Sequence, residues 1–144
     1  MHLNFLHTTQ LLFKAYDEVR KNIQNNYQLM GAEVDVLLFL ANNPKHTKAQ
    51  DIVEVRKMTK SHASKAITQL VDKGLLEKSV NPDNKKEFHL KLTPQTIPII
   101  NYGQNQQKLF FERLFEGFSK QQLDDFFNSL KVIEHNLIKE AKND

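Results

Sequence analysis

At 144 residues and a net charge of +3, the chain has the length of one domain, enough to bury roughly two-thirds of its unfolded surface. It contains no cysteine, which excludes disulfides, thiolate metal sites and thiol-based redox sensing. No stretch approaches the roughly 20 apolar residues of a membrane span, and Met1-His2-Leu3-Asn4-Phe5 lacks the basic and apolar runs of a signal peptide. A soluble, cytoplasmic protein without membrane contact is expected.

The first expected element is a helix over about 3–25, with Leu11, Leu12, Ala15, Val19 and Ile23 at helical spacing. A second helix, Glu33 to Ala41, is apolar almost all round and so buried on several sides. Asn42-Asn43-Pro44 ends it. Thr47-Lys48-Ala49-Gln50 fits a capping box, with the Thr47 hydroxyl on the amide three residues on and Gln50 reaching back. Ile52, Val53 and Val55 give that third helix a core face. Arg56-Lys57-Met58 makes a turn, and Thr59 caps a fourth helix. There Ala63, Ala66, Ile67, Leu70 and Val71 form one buried stripe. Ser61, Lys65 and Thr68 fall on the opposite face, flanked by His62, Ser64 and Gln69. That face is short, polar and cationic, the chemistry of a helix lying in a DNA major groove. Gly74 stands where a left-handed C-terminal cap belongs, followed by Leu75-Leu76.

A β-hairpin wing follows. Phe88, Leu90 and Leu92 alternate with Glu87, His89 and Lys91, as in a half-buried strand. Leu76 to Val80 is the expected partner strand. Asn81-Pro82-Asp83-Asn84-Lys85-Lys86 joins them as a loop of turn formers with two adjacent cations. Thr93-Pro94 then starts another helix, with a capping hydroxyl and proline at the first helical position. Pro98 either kinks that helix or delays its start. Apolar positions run on through Phe110, Phe111, Leu114, Phe115 and Phe118. Ser119-Lys120-Gln121-Gln122 is a further capping box, opening a helix with Leu123, Phe126, Phe127, Leu130, Ile133, Leu137 and Ile138.

The fold class is therefore mainly α with a small two- or three-stranded β wing. A winged helix-turn-helix lobe, about 33–93, is flanked by helices over about 3–25 and 94–142 within one domain, 1–144. The terminal helices carry more apolar surface than a small winged lobe needs. That excess is either the chain's own core or the seam of a homodimer about a two-fold axis, the reading preferred. Such a dimer sets two recognition helices roughly 34–36 Å apart along one side of DNA.

Charge is unevenly spread. From Lys45 to Lys91 there are 11 Lys/Arg against 6 Asp/Glu, and 9 against 11 elsewhere. The positive excess sits in the winged segment, the footprint of phosphate contacts. Double-stranded DNA is the expected partner, through Thr47, Lys48, Lys60, Ser61, His62, Ser64, Lys65, Thr68, Gln69, Asn84, Lys85 and Lys86. Lys65 serves either a guanine edge or a phosphate. His62 is either a DNA contact or an edge-of-core residue. Thr47 and Lys48 bring backbone amides and a lysine to the start of the third helix. The histidines, His2, His7, His46, His62, His89 and His135, include no pair at helical i, i+4 spacing, so neither metal nor cofactor is expected.

No glycine-rich phosphate loop, Gly-x-Ser-x-Gly or cysteine nucleophile appears, and the acids read as lying on helix surfaces, so the chain is not read as an enzyme. The alternative is a winged-helix protein-interaction adaptor. It calls for apolar anchors on the outward face of the fourth helix, where this sequence is polar.

Asp51-Ile52, Lys60 to Ile67, Leu70-Val71-Asp72-Lys73-Gly74-Leu75-Leu76 and Leu92-Thr93 resemble the MarR family of bacterial regulators, and the order of elements does so over nearly the whole chain. The resemblance implies a homodimeric regulator, usually a repressor, on a pseudopalindromic operator and often released by a small molecule. Phe13, Tyr16, Phe39 and Tyr102 are residues of the kind that line an effector pocket, or else they are core. One departure concerns the wing. The family's Asp-x-Arg before Leu-Thr falls here on Asn84 and Lys86, and lysine lacks the planar bidentate fork.

Overall fold

A computed structural model describes residues 3–56 and 58–142. The elements are α1 (Leu3–Tyr27), α2 (Gly31–Asn42), α3 (Ala49–Val55), α4 (Lys60–Asp72), β1 (Leu76–Asn81), β2 (Asn84–Leu92), a single 3-10 turn (Pro94–Thr96), α5 (Ile97–Leu114) and α6 (Lys120–Lys142). They form two compact units, Met1–Lys108 and Leu109–Asp144, with the divide falling inside α5. No helix among the described residues is long and apolar enough to cross a membrane.

The core of the first unit is built on α2. Val34, Val36, Leu37, Leu38, Phe39 and Leu40 are all buried, so apolar residues on every side meet α1, α4 and β2. Ile23 of α1, Ile52 of α3 and Leu70 of α4 are almost wholly enclosed in the same unit. Truncating any of them to alanine would leave a cavity costing about 2–5 kcal/mol. The mid-part of α5 lies close to this core, and a side chain at Gly103 would meet Leu38 Cδ2 at 2.8 Å.

The fourth helix forms as its sequence dictates. Thr59 Oγ1 accepts the His62 amide at 3.2 Å. Ala63, Ala66, Ile67 and Leu70 make the buried stripe. At the far end Gly74 takes φ +74°, a conformation that costs other residues about 1–2 kcal/mol. The Leu75 amide then bonds back to the Leu70 carbonyl and the Gly74 amide to that of Val71, a Schellman stop. Lys57 of the expected turn lies outside the described residues.

The sheet has two strands in antiparallel register, Leu76↔Leu92 through Val80↔Phe88. A third strand is reduced to one bridge, Lys48↔His89. The expected six-residue loop is corrected: only Pro82-Asp83 lies outside the strands, so Asn84, Lys85 and Lys86 belong to β2. Asn81 Oδ1 accepts the Asp83 amide at 3.0 Å and Asn84 Oδ1 the Lys86 amide at 3.2 Å, and these side-chain turns allow the tighter reversal. The register jumps from Val80↔Phe88 to Asn81↔Asn84, leaving Lys85, Lys86 and Glu87 as a bulge.

Two other expected caps are corrected. Thr47 does not cap α3; the N-cap is Lys48, whose amide is met by Asp51 Oδ2 at 3.2 Å. Gln50 instead donates to Glu54. Thr93 makes no side-chain cap; its hydroxyl donates to the Gly74 carbonyl at 2.7 Å, joining the end of the wing to the end of α4. Pro94 opens the 3-10 turn, and Pro98 sits in the first turn of α5, so the helix starts late rather than kinking.

In the second unit the Ser119 box closes as expected, Ser119 Oγ accepting the Gln122 amide and Gln122 Oε1 the Ser119 amide. Phe111 and Phe115 stack at 6.2 Å, and Phe115 meets Phe118, Phe126 and Phe127 at 5.3–5.4 Å. Yet α6 buries no residue. Val132, Ile133, Leu137 and Ile138 all remain exposed, Leu137 to 60%.

Candidate nucleic-acid interface

The buried stripe of α4 fixes what its other side presents. Lys60, Ser61, His62, Ser64, Lys65 and Thr68 are all exposed, and Gln69 is half-buried. His62 therefore stands on the surface rather than at the core edge. Thr68 Oγ1 donates to the Ser64 carbonyl at 2.9 Å. No large apolar side chain stands on this arc, and its one acid is Asp72 in the last turn of α4. Asn84, Lys85 and Lys86 are likewise exposed at the tip of the wing.

Thr47 and Lys48 are differently placed. Thr47 is half-buried, with Oγ1 3.0 Å from His89 Nδ1. The Lys48 ammonium rests on Glu87 Oε1. This contact raises the Lys48 pKa above its ordinary value. Glu87 is correspondingly held below the ordinary carboxylate range, first by the Lys48 hydrogen bond and then by that of Asn81. Sequence reasoning missed Glu87, Asn81 and Lys78, whose ammonium lies 3.9 Å over the Phe88 ring. The alternation in β2 marked Glu87 and His89 as outward; both are half-buried because β2 packs on α3.

The acids are not all on helix surfaces as expected. Glu33 is fully buried. Asp35 is another exception, holding Arg20 of α1 at 2.9 Å and Arg56, the C-cap of α3, at 3.1 Å. Beside that bridge lies an open cavity of about 510 Å³ lined by Phe13, Lys14, Tyr16, Asp17, Arg20, Asp35 and Arg56. Tyr16 and Phe39 line a smaller neighbour of about 250 Å³. Phe39 is otherwise core, and Tyr102 packs edge-on to Tyr27. Among the described residues no group of His, Asp and Glu is arranged to hold a metal ion.

Residues 27–87 match the sequence profile of the MarR family. No curated protein matches the sequence. Among solved structures, a putative MarR family transcriptional regulator from Listeria monocytogenes, complexed with a 26mer DNA, superposes with a TM-score of 0.83 at 20% identity. That match covers 94% of this chain and 89% of the other. A MarR protein from Peptoclostridium difficile gives 0.82 at 18%, over 97% and 91%. A MarR transcriptional regulator from Methanosarcina mazei gives 0.76 at 18%, over 94% and 98%.

Proposed function

We propose that the chain is a member of the MarR family of winged-helix regulators, whose sequence profile matches residues 27–87, and that it is a sequence-specific DNA-binding regulator acting as a homodimeric repressor. The observation that carries this reading is the outward face of α4. Lys60, Ser61, His62, Ser64, Lys65 and Thr68 stand exposed on one arc, beside exposed Lys85 and Lys86 on the wing. Hydroxyls and lysine on a helix are donors and acceptors for base edges, and lysines on a projecting hairpin suit phosphates. The Listeria structure with bound DNA supports the same use of the fold.

Dimer formation falls to the exposed apolar side chains of α1 and α6, including Phe5, Leu6, Val132 and Leu137. A two-fold axis would repeat the α4 face at half-sites about one helical turn apart. Release by a small molecule would act through the Arg20–Asp35–Arg56 bridge. That bridge ties α1 to the residue that ends α3, just before the recognition helix. A ligand in the adjoining cavity that competes for either arginine would favour a different placement of α4, shifting the population away from the DNA-competent state.

A competition titration tests the reading. Labelled duplex carrying a selected site is challenged with the same site unlabelled, with scrambled duplex and with single strands. Preferential displacement by the selected duplex supports it, and equal displacement by all three contradicts it.

A further inference from the structure

Glu87 carries two donors on one carboxylate. The Lys48 ammonium meets Oε1, and Asn81 Nδ2 donates to Oε2 at 3.2 Å. Lys48 is the N-cap of α3 and Asn81 the last residue of β1. One side chain from the β2 bulge therefore joins both strands of the wing to the first helix of the helix-turn-helix.

The surrounding contacts reinforce that joint. The Leu90 amide donates to the Thr47 carbonyl at 2.7 Å. His89 bridges Lys48 through the backbone, places Nδ1 3.0 Å from Thr47 Oγ1, and brings Nε2 within 3.7 Å of Glu87 Oε1. The Glu87 side chain is only 20% exposed, whereas Lys85 and Lys86 beside it are exposed. Among the described lysines, Lys48 is the one with its ammonium on this carboxylate. A phosphate would have to displace a carboxylate that keeps a second donor in Asn81, at a loss of attraction for no gain in charge compensation.

We propose that Glu87 is a positioning residue for DNA binding: with Lys48 and Asn81 it clamps the wing against the start of α3, and Lys48 serves the clamp rather than a phosphate. The role in DNA binding rests on the function proposed above; the clamp itself does not. It sets the angle at which Lys85 and Lys86 project, so loosening it weakens binding without removing a phosphate contact.

Two measurements on the full chain test this. The first needs no DNA: hydrogen exchange at the Leu90 amide in Glu87→Ala, Lys48→Met and the charge swap Lys48→Glu with Glu87→Lys. Each single variant should raise Leu90 exchange by roughly two- to fivefold, the range for a half-exposed ion pair. The swap should recover most of the protection, and the Leu70 amide in α4 should stay unchanged as a check on folding. Wild-type exchange at Leu90 in both single variants would overturn the clamp. The second is duplex affinity against salt. Lys48→Met should lower affinity while keeping the wild-type slope of log K on log salt. A slope shallower by about 0.9, the loss of one phosphate contact, would overturn the assignment of Lys48. Should the wild-type chain bind no duplex at all, the function fails but the exchange data still decide the clamp.

Discussion

The carboxylate of Glu33, fully buried in α2, holds the ammonium of Lys73 with both oxygens, at 3.0 and 2.8 Å. Oε1 also accepts the Met30 amide at 2.8 Å. The contact ties the C-cap of α4 to the central helix of the core. Lys73→Met would leave a buried carboxylate with one remaining donor. Because the lysine end is 41% exposed, water relieves part of the loss, and we expect a destabilisation of about 1–3 kcal/mol. Urea unfolding measures it, and a midpoint equal to wild type would show that the pair contributes nothing.

Lys65 stands at the centre of the exposed arc of α4. Lys65→Ala should weaken binding to a selected duplex by on the order of 1–3 kcal/mol if the side chain reads a base. Replacing Lys85 and Lys86 together should flatten the salt dependence while leaving sequence preference intact. Anisotropy titrations at several salt concentrations separate the two effects. Unchanged affinity in the first variant would remove Lys65 from the interface.

Apolar side chains along α6 are exposed among the described residues. Leu137, 60% exposed, is flanked by Ile133 and Ile138 on the same helix. Leu137→Glu with Ile133→Glu should convert a dimer to a monomer in sedimentation equilibrium, with little loss of helix content. A dimer that survives both charges would place the seam elsewhere.

The wing clamp should be indifferent to pH across a wide window. Glu87 is held below its ordinary value of 4.5, so its contribution is fully present above 4.5 and lost only as pH falls through the lowered value. Lys48 is raised above 10.5, so its contribution is fully present below 10.5 and lost only as pH rises beyond. Asp51 adds to the raising of Lys48. Leu90 amide protection, corrected for intrinsic exchange, should therefore stay level between those limits. A step within that window would contradict a joint held by Glu87 and Lys48.

What the sequence made legible was local. The Thr59 cap, the Ala63–Leu70 stripe, the Gly74 stop and the Ser119 box each draw on residues within one or two turns of each other, and all four form. Long-range partners were not legible. Nothing near Glu33 marks it as buried, because its cation lies 40 residues away. Thr47 has the sequence context of a cap, yet its hydroxyl meets His89 once β2 packs on α3. In the wing, strand alternation told which side chains share a face but not what covers that face. Glu87 therefore read as solvent-facing. The short turn was hidden for a related reason, since Asn81 and Asn84 are turn formers whose side chains here extend the strands.

The most direct measurement of the central claim is selection of bound sequences from a random duplex library at physiological salt, with the mass of the complex determined alongside. The account predicts a two-fold symmetric site, its half-sites about one helical turn apart, bound by two chains. Weak, sequence-blind binding that disappears with salt would contradict it and favour a winged-helix adaptor for another protein.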